Sequence, residues 1–200
     1  DFQNLIIKSL IKYGNREKAY IAIQSISEIN NLEHEVFYRK FELDYLLSTF
    51  NLSEACDFKN VLQDKKINIE NNFLLKIDIF CLFLEEKIDE ANLLYSLLVE
   101  SEVNKDIYFD NLFEALKNEN SSKLNINNTN LNKEMIFLYS AMHRVGNISL
   151  SDEFLKVDPF NLSMPIILSR ATDISLRLEA AHQAYNNGLI GIDSIAALYQ

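Results

Sequence analysis

Apolar residues recur along the first part of the chain at the three- and four-residue spacing of an α-helix. Ile7, Leu10 and Ile11 share one such helical face, and the segment from Ala19 to Ile26 carries a second one. Between the two faces, Gly14 suits the left-handed position just past a helix end. The pattern therefore predicts two helices joined by a short turn, which is a helical hairpin.

The hairpin pattern recurs at a fixed interval. Ala19, Ala55 and Ala91 mark the same position in three consecutive copies, since they lie 36 residues apart. A hairpin cannot cover its own apolar face, so copies at a fixed interval are expected to stack on one another. The sequence predicts an all-α protein, an α-solenoid of stacked helical hairpins with a period of about 36 residues in the first half. The other positions that follow this interval are Ile7, Leu43 and Ile79; Leu10, Leu46 and Leu82; Ile11, Leu47 and Phe83; and Ile26, Leu62 and Leu98.

The spacing between the turn and the small residue resembles the tetratricopeptide repeat. Gly14 stands five residues before Ala19, as at the join between the two helices of such a repeat, whose usual period is about 34 residues. The later copies depart from the family pattern, because Phe50 and Glu86 take the Gly position and the closing proline is missing. We therefore expect tetratricopeptide-like hairpins over roughly residues 2 to 100.

A second resemblance covers the segment from Phe80 to Leu98 and the last thirty or so residues, which are similar to a group of alphaproteobacterial helical-repeat proteins. This resemblance implies a scaffold of many repeats, often exported, for which no reaction is known. On that basis we expect a bacterial protein, periplasmic or cytoplasmic. The residues that carry the resemblance near the C-terminus are Arg177, Leu178, Ala180, Ala181, Ala184, Gly188, Leu189 and the closing Ala196 to Tyr199.

The repeat register weakens after residue 100. The sequence indicates hairpin repeats over residues 1–118, an exposed Asn-rich loop over 119–131, and further helices of the same solenoid over 132–200, truncated at the C-terminal end. The chain is expected to be an excerpt of a longer protein with about eleven helices in this part. The helices predicted from residue 107 onward are Ile107 to Leu116, Lys133 to Val145, Asp152 to Lys156, Leu162 to Ala171, Leu176 to Asn187, and a last one capped by Asp193 or Ser194.

Composition narrows the classes of partner and fold. The net charge is −10, so nucleic acid would be repelled from most of the surface. Four Gly and two Pro are too few for a β-sandwich or barrel, which needs frequent turn residues. Cys56 and Cys81 lie in apolar helical patterns and are expected to pack as small hydrophobic residues. A disulfide between neighbouring hairpins is the alternative.

The sequence contains no catalytic motif. His34, His143 and His182 are each more than 35 residues from the next histidine, so no pair has the helical spacing of a zinc or di-iron site. The glycines form neither a P-loop nor a dinucleotide-binding loop. We therefore expect a non-enzymatic protein with no cofactor and no metal.

The remaining hypothesis is a protein-interaction scaffold. The first helix of each hairpin usually lines the concave side of a solenoid, where an extended peptide or a partner's helix binds. Two alternatives stay open: a helical accessory domain of a larger bacterial enzyme such as a cell-wall hydrolase, and a structural protein that self-assembles through an uncovered apolar face. The residues predicted to be exposed on this side are Lys8, Lys12, Arg39, Glu42, Asp44, Lys76 and Asp78, and all of these except Asp44 are the predicted partner-binding residues.

Overall fold

The chain is all-α over the part that the structure describes. A computed structural model describes residues 2–29, 31–67, 69, 71–101, 105–118 and 131–198, and this part contains twelve α-helices and no strand. Most of the predicted Asn-rich loop, residues 119–130, lies outside the described residues. The helices are α1 (Phe2–Lys12), α2 (Arg16–Gln24), α3 (Leu32–Ser48), α4 (Leu52–Asp64), α5 (Asn71–Leu84), α6 (Ile88–Ser101), α7 (Ile107–Lys117), α8 (Ile136–Val145, after a 3₁₀ turn at Lys133–Met135), α9 (Asp152–Val157), α10 (Ser163–Leu168), α11 (Ile174–Asn186) and α12 (Ile192–Leu198).

The turns inside the first three hairpins share one geometry at the 36-residue interval. Gly14 has φ +77°, and Phe50 and Glu86 have φ +66° and +60°. After each of them, the next backbone N–H donates to a carbonyl five residues earlier, at 2.8 to 2.9 Å, which closes the end of the first helix. Bulky residues rarely adopt this left-handed conformation, so the surrounding packing must impose it on Phe50.

Buried alanines let the helices of each hairpin approach closely. Ala19, Ala55 and Ala91 lie on α2, α4 and α6, and none of their surface is exposed to solvent. A larger side chain at these positions would hold the helix axes apart. Each helix from α1 to α5 contacts the next one along the chain.

Helix α8 is the most enclosed element of the molecule. All eight residues from Ile136 to His143 are buried, whereas a surface helix buries only one face. The helix contacts α3 and α7, and the ring of its Tyr139 lies 4.7 Å from that of Tyr108 on α7. Helix α8 therefore packs onto the first helix of the second hairpin and onto α7.

Several predicted helix bounds are wrong at the C-terminal end. Helix α11 begins at Ile174, two residues before the predicted start, because the Asp173 side chain accepts a hydrogen bond from the Ser175 N–H and caps the helix there. Helix α12 begins at Ile192, so Asp193 and Ser194 lie inside it and do not cap it. Helix α10 ends at Leu168, before the predicted end at Ala171.

The two cysteines form a disulfide, so the expectation that they pack as free thiols is wrong. Cys56 on α4 and Cys81 on α5 have Cα atoms 5.7 Å apart and bonded sulfurs, within the range that disulfide geometry requires. The bond joins the second hairpin to the third. Spacing along the sequence could not show that the two side chains face each other.

No helix in the described part of the chain is long and apolar enough to span a bilayer.

Candidate interaction surface

The residues predicted to bind a partner do not form one open groove. Lys8 and Lys12 are exposed on α1, as expected. Arg39 on α3 turns toward its own helix, where its Nη1 donates to Glu42 Oε2 at 2.7 Å. The three residues therefore point to two different places on the surface.

Glu42 and Asp78 connect consecutive hairpins, so the prediction that they are exposed is wrong for Glu42. Its side chain is 1% exposed and also accepts a hydrogen bond from Gln24 on α2. Burial raises the pKa of Glu42, while Arg39 acts in the opposite direction. Asp78, which lies 36 residues later, accepts from Lys59 on α4. Both acids thus bind the second helix of the preceding hairpin.

Lys76 is buried as well, which also contradicts its predicted exposure. Its side chain is 3% exposed and its Nζ lies 2.9 Å from Asp106 Oδ2. Tyr139 on α8 donates to the same oxygen at 2.6 Å, and the Phe109 N–H donates to Oδ1. Asp106 therefore links α5, α7 and α8 inside the protein, and Lys76 neutralises its charge.

Helix α8 covers the side of the hairpins that was expected to receive a partner. Arg16 at the start of α2 lies between the rings of Phe41 on α3 and Phe137 on α8, at 4.8 and 4.0 Å. Burial lowers the pKa of Arg16 to about 10. At the far end of α8, Arg144 Nη1 donates to the Ser48 carbonyl of α3 at 3.3 Å. The face lined by α3 is thus occupied by the chain itself.

His143 is a core residue. Its Nε2 lies 2.8 Å from Tyr108 Oη, and both side chains are buried. Burial lowers the pKa of His143 to about 4, so the ring is neutral at physiological pH. Among the described residues, no group of three or more His, Cys, Asp or Glu side chains could hold a metal ion.

An apolar surface is exposed on α1. Phe2 is 77% exposed and Leu5 is 63% exposed. With their neighbours they border a shallow groove of about 360 Å³. An apolar patch of this kind typically marks an interaction site. We refer to this surface as the α1 face, which consists of Phe2, Leu5, Ile6, Ser9, Leu10, Tyr13 and Asn15.

The repeat register shows what usually covers such a face. Tyr38 and Phe41 on α3 stand 36 residues after Phe2 and Leu5, and they are only 2% and 5% exposed. They pack in a cluster with residues of the preceding α1–α2 hairpin, including Ile7. The α1 face thus presents side chains that the next copy buries against a helical hairpin.

Protein-family models, curated proteins and solved structures contain no match to this chain. The site therefore has to be interpreted from its own geometry.

Sequence reasoning missed the α1 face although the signal was present. The 36-residue alignment that pairs Ile7 with Leu43 also pairs Phe2 with Tyr38 and Leu5 with Phe41. An apolar position that later copies bury against the preceding hairpin is a candidate contact surface where its side chain is exposed. The charged residues predicted instead lie on the first helices of the hairpins, and α8 packs against one of these helices, α3.

Proposed function

We propose that the chain is a non-catalytic protein-interaction scaffold that binds a helical segment of a partner protein on the α1 face. The observation that carries this proposal is the exposure of Phe2 and Leu5 at register positions where Tyr38 and Phe41 are buried. In the buried copy, the covering element is a pair of helices. A partner helix or hairpin has the matching shape.

The charges around the α1 face favour an acidic partner. Helix α1 contains Lys8 and Lys12 and no acidic residue, although the chain as a whole carries a net charge of −10. Both lysines are exposed. An amphipathic helix with an apolar face and acidic flanks would complement this surface and be steered to it.

A second copy of the chain is the competing occupant. In this proposal the hairpins from α1 to α6 belong to a solenoid, and the contacts between consecutive helices support that arrangement. An exposed repeat face can stack on another repeat, in the same chain or in another molecule. Self-assembly is therefore the second candidate function.

A pull-down with matched variants tests the proposal. The tagged chain would be incubated with an extract of the organism that makes it, beside the variants Leu5→Asp and Ile21→Asp. Ile21 on α2 is 59% exposed, so the second variant places the same charge outside the α1 face. We expect a partner that wild type and Ile21→Asp retain and that Leu5→Asp loses at least tenfold.

Light scattering on the same three proteins separates the two occupants. Self-assembly predicts a concentration-dependent mass in the wild type that Leu5→Asp reduces to the monomer mass. A partner protein predicts a monomer in all three samples. A folded wild type that remains monomeric and retains nothing would refute both uses of the α1 face.

The disulfide supports an oxidising compartment for the protein. Disulfides persist in the periplasm and outside the cell and are rare in the cytosol, and the Cys56–Cys81 bond joins two packed helices. We therefore propose periplasmic or extracellular maturation. Thiol alkylation and mass spectrometry of protein isolated from its source would test this, since a cytosolic protein would be labelled on both cysteines.

A further inference from the structure

A second cavity shares no lining residue with the α1 face. It has a volume of about 700 Å³ and lies among the C-terminal ends of α3 and α8 and the helices α10 to α12. This volume is typical of sites that hold a small organic molecule. Its walls include the apolar side chains of Met164, Leu168 and Ile190.

Three arginines line this cavity in an acidic protein. Arg144, Arg170 and Arg177 are three of the five arginines in the chain, and no Asp or Glu is among the fourteen lining residues. None of the three forms an ion pair with any residue that the structure describes. Positive charge is therefore concentrated where the protein itself offers no counter-charge.

Arg144 is held in place by the end of α3. Its guanidinium lies 4.0 Å from the centre of the Phe50 ring, and its Nη1 donates to the Ser48 carbonyl. Phe50 has φ +66°, the left-handed conformation that recurs at the same turn of the first three hairpins. The left-handed turn thus places an aromatic ring beneath the guanidinium.

Arg177 is fixed by a similar bond. Its Nε donates to the Ile167 carbonyl at 2.9 Å. An arginine has five N–H donors, so Arg144 and Arg177 each retain most of theirs for a ligand. Arg170, in the turn between α10 and α11, is exposed and makes no hydrogen bond with any described residue.

We propose that this cavity, the arginine pocket, binds an organic carboxylate with an apolar body. The guanidinium groups supply planar donor pairs that match the two oxygens of a carboxylate. Eight of the fourteen lining residues are apolar, and these would cover the body of the ligand. The site is separate from the α1 face, so either proposal can fail while the other stands.

Calorimetry with three probes of equal chain length tests the chemistry. Octanoate carries the carboxylate, octylammonium carries the opposite charge, and octanol carries none. We expect octanoate to bind at least tenfold more tightly than octanol, and octylammonium not to bind. Equal affinities for octanoate and octylammonium would overturn the proposal, as would the absence of octanoate binding to the folded chain.

Two variants locate the site without disturbing the core. Arg170→Ala removes one guanidinium that has no partner in the described structure. Ser194→Asp adds a carboxylate to the wall of the pocket. Ser194 lies in the first turn of α12, where helices favour acidic residues. Each should weaken octanoate binding about tenfold. Lys18→Ala, an exposed charge on α2, changes the net charge by the same amount as Arg170→Ala and should leave binding unchanged. Equal weakening in all three would indicate a non-specific charge effect and refute the site.

The carboxylate could belong to a free acid or to the end of a peptide, and one comparison distinguishes them. The acetylated dipeptide Ala-Leu with a free carboxylate presents the same chemistry as octanoate on a peptide. The C-terminal amide of the same dipeptide lacks the negative charge. Tighter binding of either acid identifies the source. Measurable binding of the dipeptide that is equal for the free acid and its amide would contradict a role for the arginines.

Discussion

Glu86 holds a backbone conformation that suits glycine. Its φ is +60°, at the register position that Gly14 occupies with φ +77°. The sequence departs from the tetratricopeptide pattern at this position, because glutamate takes the place of glycine. The turn nevertheless has the same backbone conformation. A side chain with a Cβ atom is strained in this region.

Glycine at this position should therefore stabilise the protein. We expect Glu86→Gly to raise the free energy of unfolding by about 0.5 to 1 kcal/mol, because the relief of strain outweighs the added flexibility of the unfolded chain. Urea denaturation measures the change. Glu85→Gly is the control, because Glu85 lies one residue earlier and has negative φ. This variant should destabilise the protein. Equal effects of the two variants would contradict the explanation.

His143 should make the protein sensitive to acid. Its pKa is lowered from 6.5 to about 4 by burial, so the unfolded chain takes up a proton at a higher pH than the folded one. The stability contributed by the neutral ring is complete above pH 6.5 and decreases as the pH falls toward 4. The loss amounts to about 3 kcal/mol by pH 4.

The measurement requires a variant, because Asp44 acts in the opposite direction. Burial raises the pKa of Asp44 to about 7, so its contribution to stability increases as the pH falls below 7. We expect the difference in unfolding free energy between wild type and His143→Gln to shrink by about 3 kcal/mol from pH 7.5 to pH 4. A difference that does not change with pH would show that His143 titrates normally in the fold.

At the scale of the helix, the buried alanines set the distance within each hairpin. Ala55 on α4 has none of its surface exposed. We expect Ala55→Phe to destabilise by about 1 to 3 kcal/mol or more, since the larger ring would separate α4 from α3. Thermal denaturation measures the effect. Asn60→Phe, on the exposed side of the same helix, should change stability by less than about 0.5 kcal/mol.

The disulfide should stabilise the pair α4 and α5. It closes a segment of 25 residues, and the loss of chain entropy in the unfolded state corresponds to about 3.5 kcal/mol. We expect the double variant Cys56→Ser/Cys81→Ser to have a free energy of unfolding that is lower by this amount, and therefore a lower urea midpoint. Reducing agent should reproduce the loss in the wild type and have no effect on the variant. An unchanged midpoint in the variant would refute the expected contribution.

The sequence predicts the existence of the helices better than it predicts their bounds and their contacts with one another. The apolar spacing identified α1 to α7 and the buried alanines because local periodicity records which face of a helix is covered. The predicted start of α11 is two residues late, since the helix begins where the Asp173 side chain accepts a hydrogen bond from the Ser175 N–H. The pairing of Cys56 with Cys81 depends on a contact between helices, which periodicity does not contain.

At the scale of the whole molecule, α8 connects the two halves of the chain. Ile136 to His143 are buried against helices that lie before residue 118. We expect the fragment 1–118 to lack fixed tertiary packing: helical far-ultraviolet circular dichroism, weak near-ultraviolet signal and strong binding of a hydrophobic dye. A cooperative thermal transition in that fragment would show that the hairpins fold without α8.

The candidate surfaces were less predictable than the fold. Glu42 and Lys76 are charged residues on the first helices of their hairpins, where a partner-binding groove is expected. Both side chains are buried, because α8 and the neighbouring hairpins pack on that side. The arginine pocket joins residues 50, 144, 170 and 177, and no spacing rule connects them. Such sites depend on how distant segments meet, which one sequence does not record.

The position of α8 also affects how the protein is made. A ribosome synthesises α1 to α7 first, and the apolar sides of α3 and α7 remain uncovered until Val145, the last residue of α8, has left the exit tunnel. The nascent chain therefore exposes an apolar surface, which is prone to aggregation, for the time needed to translate the segment from α7 to α8. We expect the growing chain to depend on a chaperone during that interval, whereas the released protein does not.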